Sequence, residues 1–232
     1  MRPLGGAARW WLAQSLRALE KGLRAVGGTL VLRRGAAAKV IPELVRTAGA
    51  RAAFWNEIAQ APHRAIEREL AAALAADGVT AQGFPATSSF RPRPSAARIS
   101  AACASSPHSG RRVLALGDPP SPLPAPSRLR AAMPLASEPL ERFGLEPTMP
   151  DWAADLREAW QPGELAAQVR LKHFLEHGAN TYASERDRPD REVTSCLSPH
   201  LRFGEISPRQ VWHAARFVPL ESRALPAASR NS

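Results

Sequence analysis

The sequence predicts an α/β fold, with an N-terminal parallel-sheet part that is followed by a proline-rich connection and a helical part. Two observations carry this prediction. Amphipathic helical patterns alternate with short apolar runs over the first 84 residues, an order that is typical of parallel strands joined by crossover helices. More than half of the chain's 22 prolines then fall between Pro85 and Pro150, and helical periodicity returns after Asp151.

Three helices and three strands are predicted in the first part. Leucines at helical spacing predict a first helix over Ala8–Val26, which Gly27 ends. The other predicted elements follow in chain order: a strand over 29–32, a helix over 37–47, a strand over 52–55, a helix carrying Ile66, Leu70 and Leu74, and a strand over 79–84. Because the chain opens on a helix, we expect the sheet to lack its first strands.

The connecting segment, 85–150, has the composition of a linker. Between Pro85 and Gly117, five arginines face no Asp or Glu and supply half of the chain's net charge of +10, so charge alone is weak support for nucleic-acid binding: Arg91, Arg93, Arg98, Arg111 and Arg112. Between residues 88 and 110 the composition is that of a GC-rich reading frame translated out of register. We therefore hypothesise a compensated frameshift in this window, which the coding DNA would test.

The second part, 151–217, is predicted to be all helical, and residues 218–232 read as an off-pattern tail. In a helix that begins after Gly163, Ala167, Leu171, Phe174, Leu175 and Gly178 share one face. His173 and His177 stand four residues apart, but without a third ligand nearby we interpret them as surface residues and predict no metal site.

The most specific stretch is TSCLSPHLRFGEISPR, from Thr194 to Arg209. Serine is a favoured N-cap and proline a favoured first helical residue, so Ser198 and Ser207 are each predicted to cap a helix, with Gly204 ending the first one. Two helix starts beside the Thr194 hydroxyl would offer free amides to an anion such as phosphate.

This stretch resembles the flavin-binding signature of the DNA photolyase and cryptochrome family, and Tyr182–Asp190 (YASERDRPD) is similar to a second family motif. The resemblance is strongest to bacterial cyclobutane pyrimidine dimer photolyases, truncated here at both ends. It implies a partial α/β domain at 1–84, an interdomain linker at 85–150 and the start of an all-helical FAD-binding domain at 151–217. The implied FAD contacts are Tyr182, Thr194, Ser195, Cys196, Leu197 and Ser198, and Arg186 would contact DNA phosphate; no catalytic residue is assigned.

The function implied by the resemblance is that of a deoxyribodipyrimidine photolyase, a carbon–carbon lyase that uses FAD and blue light to repair pyrimidine dimers in damaged DNA. An antenna chromophore of the folate or deazaflavin type is implied in some members; around Asn56 and Glu57 we assign no antenna contacts. We expect a monomeric protein of the cytoplasm with no membrane association. Because the rest of the family's helical domain would follow Ser232, we expect this chain alone to be an inactive fragment that binds FAD weakly or not at all.

Two alternatives stay open. The chain could belong to a cryptochrome-like flavin photoreceptor without repair activity, since the residues that distinguish the two lie largely outside this sequence. It could also be a degraded coding sequence without a present biochemical role, which the window at 88–110 and the tail favour.

Overall fold

The computed structural model describes residues 3–58, 60–85, 117–130 and 133–217. Its first part contains three helices and two strands. These are α1 (Gly6–Ala25), α2 (Ala37–Ala48), β1 (Ala52–Glu57), α3 (Ala61–Ala76) and β2 (Thr80–Pro85). The predicted alternation of helix and strand is confirmed from Ala37 onward.

The two strands are parallel, with Ala52 opposite Thr80 and Glu57 opposite Pro85, and α3 is the crossover between them. One sheet face is covered by α2 and α3. There the buried side chains of Val45, Leu70 and Leu74 pack against small and aromatic residues of both strands. The predicted α/β class with a parallel sheet is therefore confirmed.

The opposite sheet face carries Phe54 and Phe84, which are 63% and 45% exposed and whose ring centroids lie 6.0 Å apart. Parallel sheets are normally covered on both faces. Among the described residues, this sheet is covered on one, as expected for an incomplete α/β unit.

The strand predicted over 29–32 is wrong. Leu32 N donates to Ser137 Oγ at 2.9 Å, and Leu32 O accepts from Glu138 N at 2.9 Å. Both hydrogen bonds are made by the backbone of Leu32, and one of them goes to a side chain, so the segment forms no β-ladder. The backbone of Leu32 therefore bonds to the connecting segment and not to the sheet.

Helix α1 agrees with its predicted bounds, but it buries a side that the leucine spacing did not indicate. Trp10, Trp11 and Ala13 are buried, whereas Leu19 is 39% exposed. The tryptophans pack on Ala153 and on half-buried Leu156, Trp160 and Phe203 of the helical part. The buried side of α1 is therefore selected by residues more than 140 positions away.

The described parts of the connecting segment hold one short 3-10 helix, Leu140–Phe143, and otherwise no regular structure. They contact helices at both ends of the chain. Glu146 accepts from Arg17 of α1 at 2.8 Å, and Asp118 accepts from Trp212 at 3.3 Å. The window at 88–110 lies outside the described residues, and the domain bounds stay a prediction.

The second part is helical, as predicted. Its helices are α4 (Ala154–Ala159), α5 (Glu164–His177), α6 (Tyr182–Glu185), α7 (Ser198–Phe203) and α8 (Pro208–Arg216). Ala167, Leu171, Leu197 and Ile206 form its buried core. The predicted stripe of α5 is confirmed, because Ala167, Leu171 and Gly178 are buried. The tail at 218–232 lies outside the described residues. No helix in the described ranges has the length and apolar composition to cross a bilayer.

Candidate functional site

The loop that precedes α7 is held to the core by one buried side chain. Leu197 is 2% exposed and packs with Ala167, Leu171 and Ile206. Thr194, Cys196 and Ser198 are exposed, and Ser195 is half-buried. The loop therefore presents hydroxyl groups outward while Leu197 fixes its position.

Cys196 has a φ of 49°, in the left-handed region. Residues other than glycine rarely adopt this conformation, because Cβ then approaches the backbone. The Thr194 hydroxyl lies 3.4 Å from the Cys196 Sγ across this bend. The left-handed residue turns the chain into α7, so the loop has a specific backbone shape.

The prediction that Ser198 caps a helix is wrong, and the prediction that Ser207 caps one is confirmed. Leu197 is the N-cap of α7 with no side-chain capping bond, and Ser198 is already the first helical residue, so its hydroxyl cannot serve as the cap. Gly204 ends α7 at a φ of 74°, as predicted. Ser207 caps α8: its Oγ accepts from Gln210 N at 3.2 Å, and Ser207 N donates to Gln210 Oε1 at 2.8 Å.

These caps change the predicted anion site. The capping box uses two of the polar groups at the start of α8 within the protein itself. In the first turn of α7, Pro199 has no N–H and Leu201 N donates to Leu197 O at 2.9 Å, so the candidate anion donors are those of the preceding loop. The candidate anion site therefore has fewer donors than the two adjoining helix starts that the sequence predicted.

Tyr182 and Arg186 form an exposed aromatic and cationic surface. Tyr182 is 39% exposed, and its ring meets Phe174 edge-on with centroids 5.7 Å apart. The Arg186 guanidinium lies 6.0 Å from the Tyr182 ring centroid, and its ion-pair contact with Asp187 is long at 3.8 Å. Both side chains are therefore accessible to a ligand.

A buried polar cluster beside α7 was missed by the sequence reasoning. Trp11 Nε1 donates to Glu205 Oε1 at 3.1 Å, and Glu205 Oε2 lies 2.5 Å from His200 Nδ1. The Trp11 ring meets the His200 ring edge-on at 5.1 Å and stacks with Phe203 at 6.5 Å. The adjacent tryptophans in α1 were the only available signal, and they do not reveal a partner 194 residues away.

An open groove of about 760 Å³ lies between α5 and α8. Its lining is largely apolar, with polar residues among it: Gln168, Leu171, Lys172, Leu175, Glu176, Asn180, Ile206, Gln210, Ala214 and Phe217. The six predicted FAD contacts are not part of this lining. Leu171 and Ile206 nevertheless touch both the groove and Leu197, so the groove adjoins the core layer that supports the loop.

The remaining candidate residues are the histidine pair of α5 and the polar residues at the end of β1. His173 and His177 are exposed, as predicted, with ring centroids 4.5 Å apart. No group of three or more His, Cys, Asp or Glu side chains suited to a metal occurs within the described ranges. Asn56 and Glu57 end β1, where Ile58 N donates to Glu67 Oε1 at 2.8 Å; an antenna chromophore there stays untested.

Comparison with known proteins identifies the relatives of this chain. The family model described as DNA photolyase matches residues 1–98. A deoxyribodipyrimidine photo-lyase of Agrobacterium fabrum is 36% identical over 92% of this chain and 45% of its own length. Cryptochrome-1 of Arabidopsis thaliana is 29% identical over 91% of this chain and 31% of its own length.

Solved structures agree with these relatives. The crystal structure of a class III photolyase from Agrobacterium tumefaciens matches with a TM-score of 0.80 and 36% identity, over 92% of this chain and 45% of that one. The chain spans less than half the length of these relatives. Residues on both sides of the connecting segment are included in the match.

Proposed function

This chain belongs to the DNA photolyase and cryptochrome family, and on that basis we propose that its Thr194–Ser198 loop holds the diphosphate of FAD in a light-driven DNA repair lyase. The observation that carries the proposal is the geometry of the loop. Leu197 is buried, while the hydroxyls of Thr194 and Ser198 are exposed beside an uncapped helix start.

The donor set of the loop fits a diphosphate. Hydroxyl groups and backbone amides donate to phosphate oxygens without a requirement for a charged side chain. Backbone contacts at Cys196 do not depend on its side chain. Tyr182 is partly exposed, and the nucleotide end of the cofactor would lie adjacent to its ring.

Arg186 is proposed to bind DNA phosphate. Its guanidinium is exposed, and its contacts with Asp187 at 3.8 Å and with the Tyr182 ring centroid at 6.0 Å are both long, so little has to be broken before it binds an anion. Such a contact positions DNA without reading its sequence. Flipping of a pyrimidine dimer out of the duplex is helped by the weakened stacking of the lesion.

The chemistry belongs to the cofactor: when bound and reduced, FAD supplies the electron that opens the dimer. The residues of this chain bind and orient it through the loop, and Arg186 orients the DNA. On its own the chain is proposed to bind FAD weakly and to lack repair activity, because most of the six contact residues lie at an exposed surface. An open surface excludes little water from the flavin.

Cys196 provides a direct test of FAD at the loop. In a Cys103→Ser background, the rate at which the thiol reagent DTNB labels Cys196 is measured against increasing FAD. We expect saturable protection by FAD and none by riboflavin, which lacks the diphosphate. Thr194→Val should weaken the protection, and equal protection by riboflavin would contradict the assignment.

The DNA contact has a matched control. Arg188 is exposed like Arg186, but its guanidinium is bound by Asp190 at 2.8 and 3.2 Å. We expect Arg186→Gln to weaken binding of a dimer-containing duplex more than Arg188→Gln does, and to lower its salt dependence. Equal effects would mean that Arg186 has no special role.

A cryptochrome-like photoreceptor is the second candidate, because Cryptochrome-1 of Arabidopsis matches nearly the same share of this chain as the photolyase does. Preference for dimer-containing over undamaged DNA separates the two. A photolyase origin predicts such a preference, whereas equal binding of both duplexes favours the photoreceptor. Blue-light repair by the chain with added FAD would establish the lyase and overturn the expected inactivity.

A further inference from the structure

We propose that Trp11 of α1 is a positioning residue for the FAD loop, acting through the buried pair of Glu205 and His200; the proposal rests on the function proposed above. Trp11 donates to Glu205 Oε1 at 3.1 Å, and His200 meets the other carboxylate oxygen at 2.5 Å. A helix near the N-terminus thereby controls a loop almost 190 residues later.

The hydrogen bonds converge on α7. His200 is the third residue of this six-residue helix, and the loop enters it at Ser198. The backbone amide of Glu205 also donates to His200 O at 2.9 Å, so the turn after α7 is tied to the helix itself. The hydrogen bonds that hold the Glu205 carboxylate therefore also set the direction of α7.

Two anchors fix α7 from different sides. On one side, Leu197 and Ile206 pack against Ala167 and Leu171. On the other side, the centroid of the Trp11 ring lies 5.1 Å from that of His200 and 6.5 Å from that of Phe203. Apolar packing alone tolerates small rotations, whereas a hydrogen bond between buried groups selects one orientation.

Burial makes the polar anchor specific. The side chains of His200 and Glu205 are 1% and 3% exposed, so water cannot replace a lost partner without opening the interface. Because a carboxylate oxygen accepts, His200 Nδ1 is the donor, and Glu205 accepts from both His200 and Trp11. Loss of the indole donor leaves one carboxylate oxygen unpaired in the buried cluster, and α7 must shift to hydrate it.

Trp10 offers a matched control. It neighbours Trp11 in α1 and is 1% exposed, with the two rings 6.2 Å apart, but its Nε1 has no hydrogen-bond partner among the described residues. Trp10→Phe and Trp11→Phe remove the same atoms from the same cluster, and only Trp11→Phe removes a hydrogen bond.

The experiment measures DTNB labelling of Cys196 in the full chain with Cys103→Ser, without FAD. We expect Trp11→Phe to change the labelling rate about tenfold, the equilibrium equivalent of one lost hydrogen bond, and Trp10→Phe to leave it within about twofold. Glu205→Gln should preserve the rate, because its amide oxygen still accepts from Trp11 and its amide nitrogen can donate to His200 Nδ1 once the imidazole carries its proton on Nε2. Glu205→Ala removes both contacts and should change the rate as Trp11→Phe does.

Equal rates for Trp10→Phe and Trp11→Phe would overturn the proposal, and so would equal rates for Glu205→Gln and Glu205→Ala. If Trp11→Phe does not fold, the two Glu205 variants decide. The readout needs no flavin, so it separates this proposal from the FAD assignment. Failure of FAD to protect Cys196 in the unsubstituted background would reject the cofactor site while the rates still report the anchor.

Discussion

Gly163 is the position at which the structure makes its sharpest stability prediction. It is the buried N-cap of α5, with a φ of 119° and a ψ of 161°, a region that essentially only glycine adopts. A Cβ at this position would lie 2.8 Å from the Cβ of Ala18 in α1. Gly163→Ala therefore combines backbone strain with a clash between two atoms that no side-chain rotation can relieve.

The expected cost can be estimated from these two effects. Backbone strain of this kind costs about 1–3 kcal/mol, and an added methyl in a well-packed contact costs about 1–3 kcal/mol. We expect Gly163→Ala to lower the free energy of unfolding by about 3 kcal/mol. Against a total of ~5–15 kcal/mol for a typical domain, this is a large loss.

Urea denaturation followed by circular dichroism measures the loss. Ala18→Gly should cost about 1 kcal/mol in the native background, because glycine is a poor helix former. In the Gly163→Ala background it should cost less or become stabilising, since it removes the clash. A loss below about 1 kcal/mol for Gly163→Ala, or strict additivity of the two substitutions, would refute the close α1–α5 contact.

Three further predictions concern the helix cap, the core and pH. Ser207→Ala should cost about 1 kcal/mol because it breaks the capping box, whereas Ser198→Ala should leave the free energy of unfolding nearly unchanged; urea melts compare the two, and equal costs would contradict the caps described. Leu171→Ala should cost about 2–5 kcal/mol in the same assay, because the side chain is 6% exposed in the core; a loss under 1 kcal/mol, by the same reasoning, would mean that the site collapses freely. Hydrogen bonds from Arg17 hold the pKa of Glu146 below its ordinary value of 4.5, so the ion pair stabilises the fold above that pH and is lost as pH falls through the lowered pKa. Glu146→Gln should remove about 0.5 kcal/mol of this acid-dependent stability after solvent screening, and acid unfolding curves that coincide for both proteins would count against it.

Local patterns were sufficient for much of the first part of the fold. Helices α2 and α3 and strands β1 and β2 follow from runs of apolar residues punctuated by Gly49 and Gly78, whose backbones are left-handed at φ values of 61° and 68°. The strand predicted over 29–32 failed because an apolar run does not reveal whether its hydrogen-bond partner is a strand or a loop. Composition alone cannot make that distinction.

The sequence located the residues of the candidate site, but it did not predict where α7 begins or how the fold supports the loop. The motif from Thr194 to Arg209 located the loop, and Ser207 and Gly204 have the roles that their residue types predict. Ser198 does not, because the chain enters α7 one residue earlier than a Ser-Pro cap requires. The residue types permit both starts, and the burial of Leu197 selects the one observed.

The sequence by itself determined the order of helices and strands between Ala37 and Pro85, the parallel arrangement of the strands and the position of the loop before α7, because each depends on residues near one another in the chain. Only the tertiary structure decided which side of α1 is buried and that Trp11 meets Glu205 and His200. Periodicity shows that a helix has an apolar face, but the partner of that face depends on how distant segments are brought together. A hydrogen bond between residues 194 positions apart therefore leaves no local pattern from which it could be read.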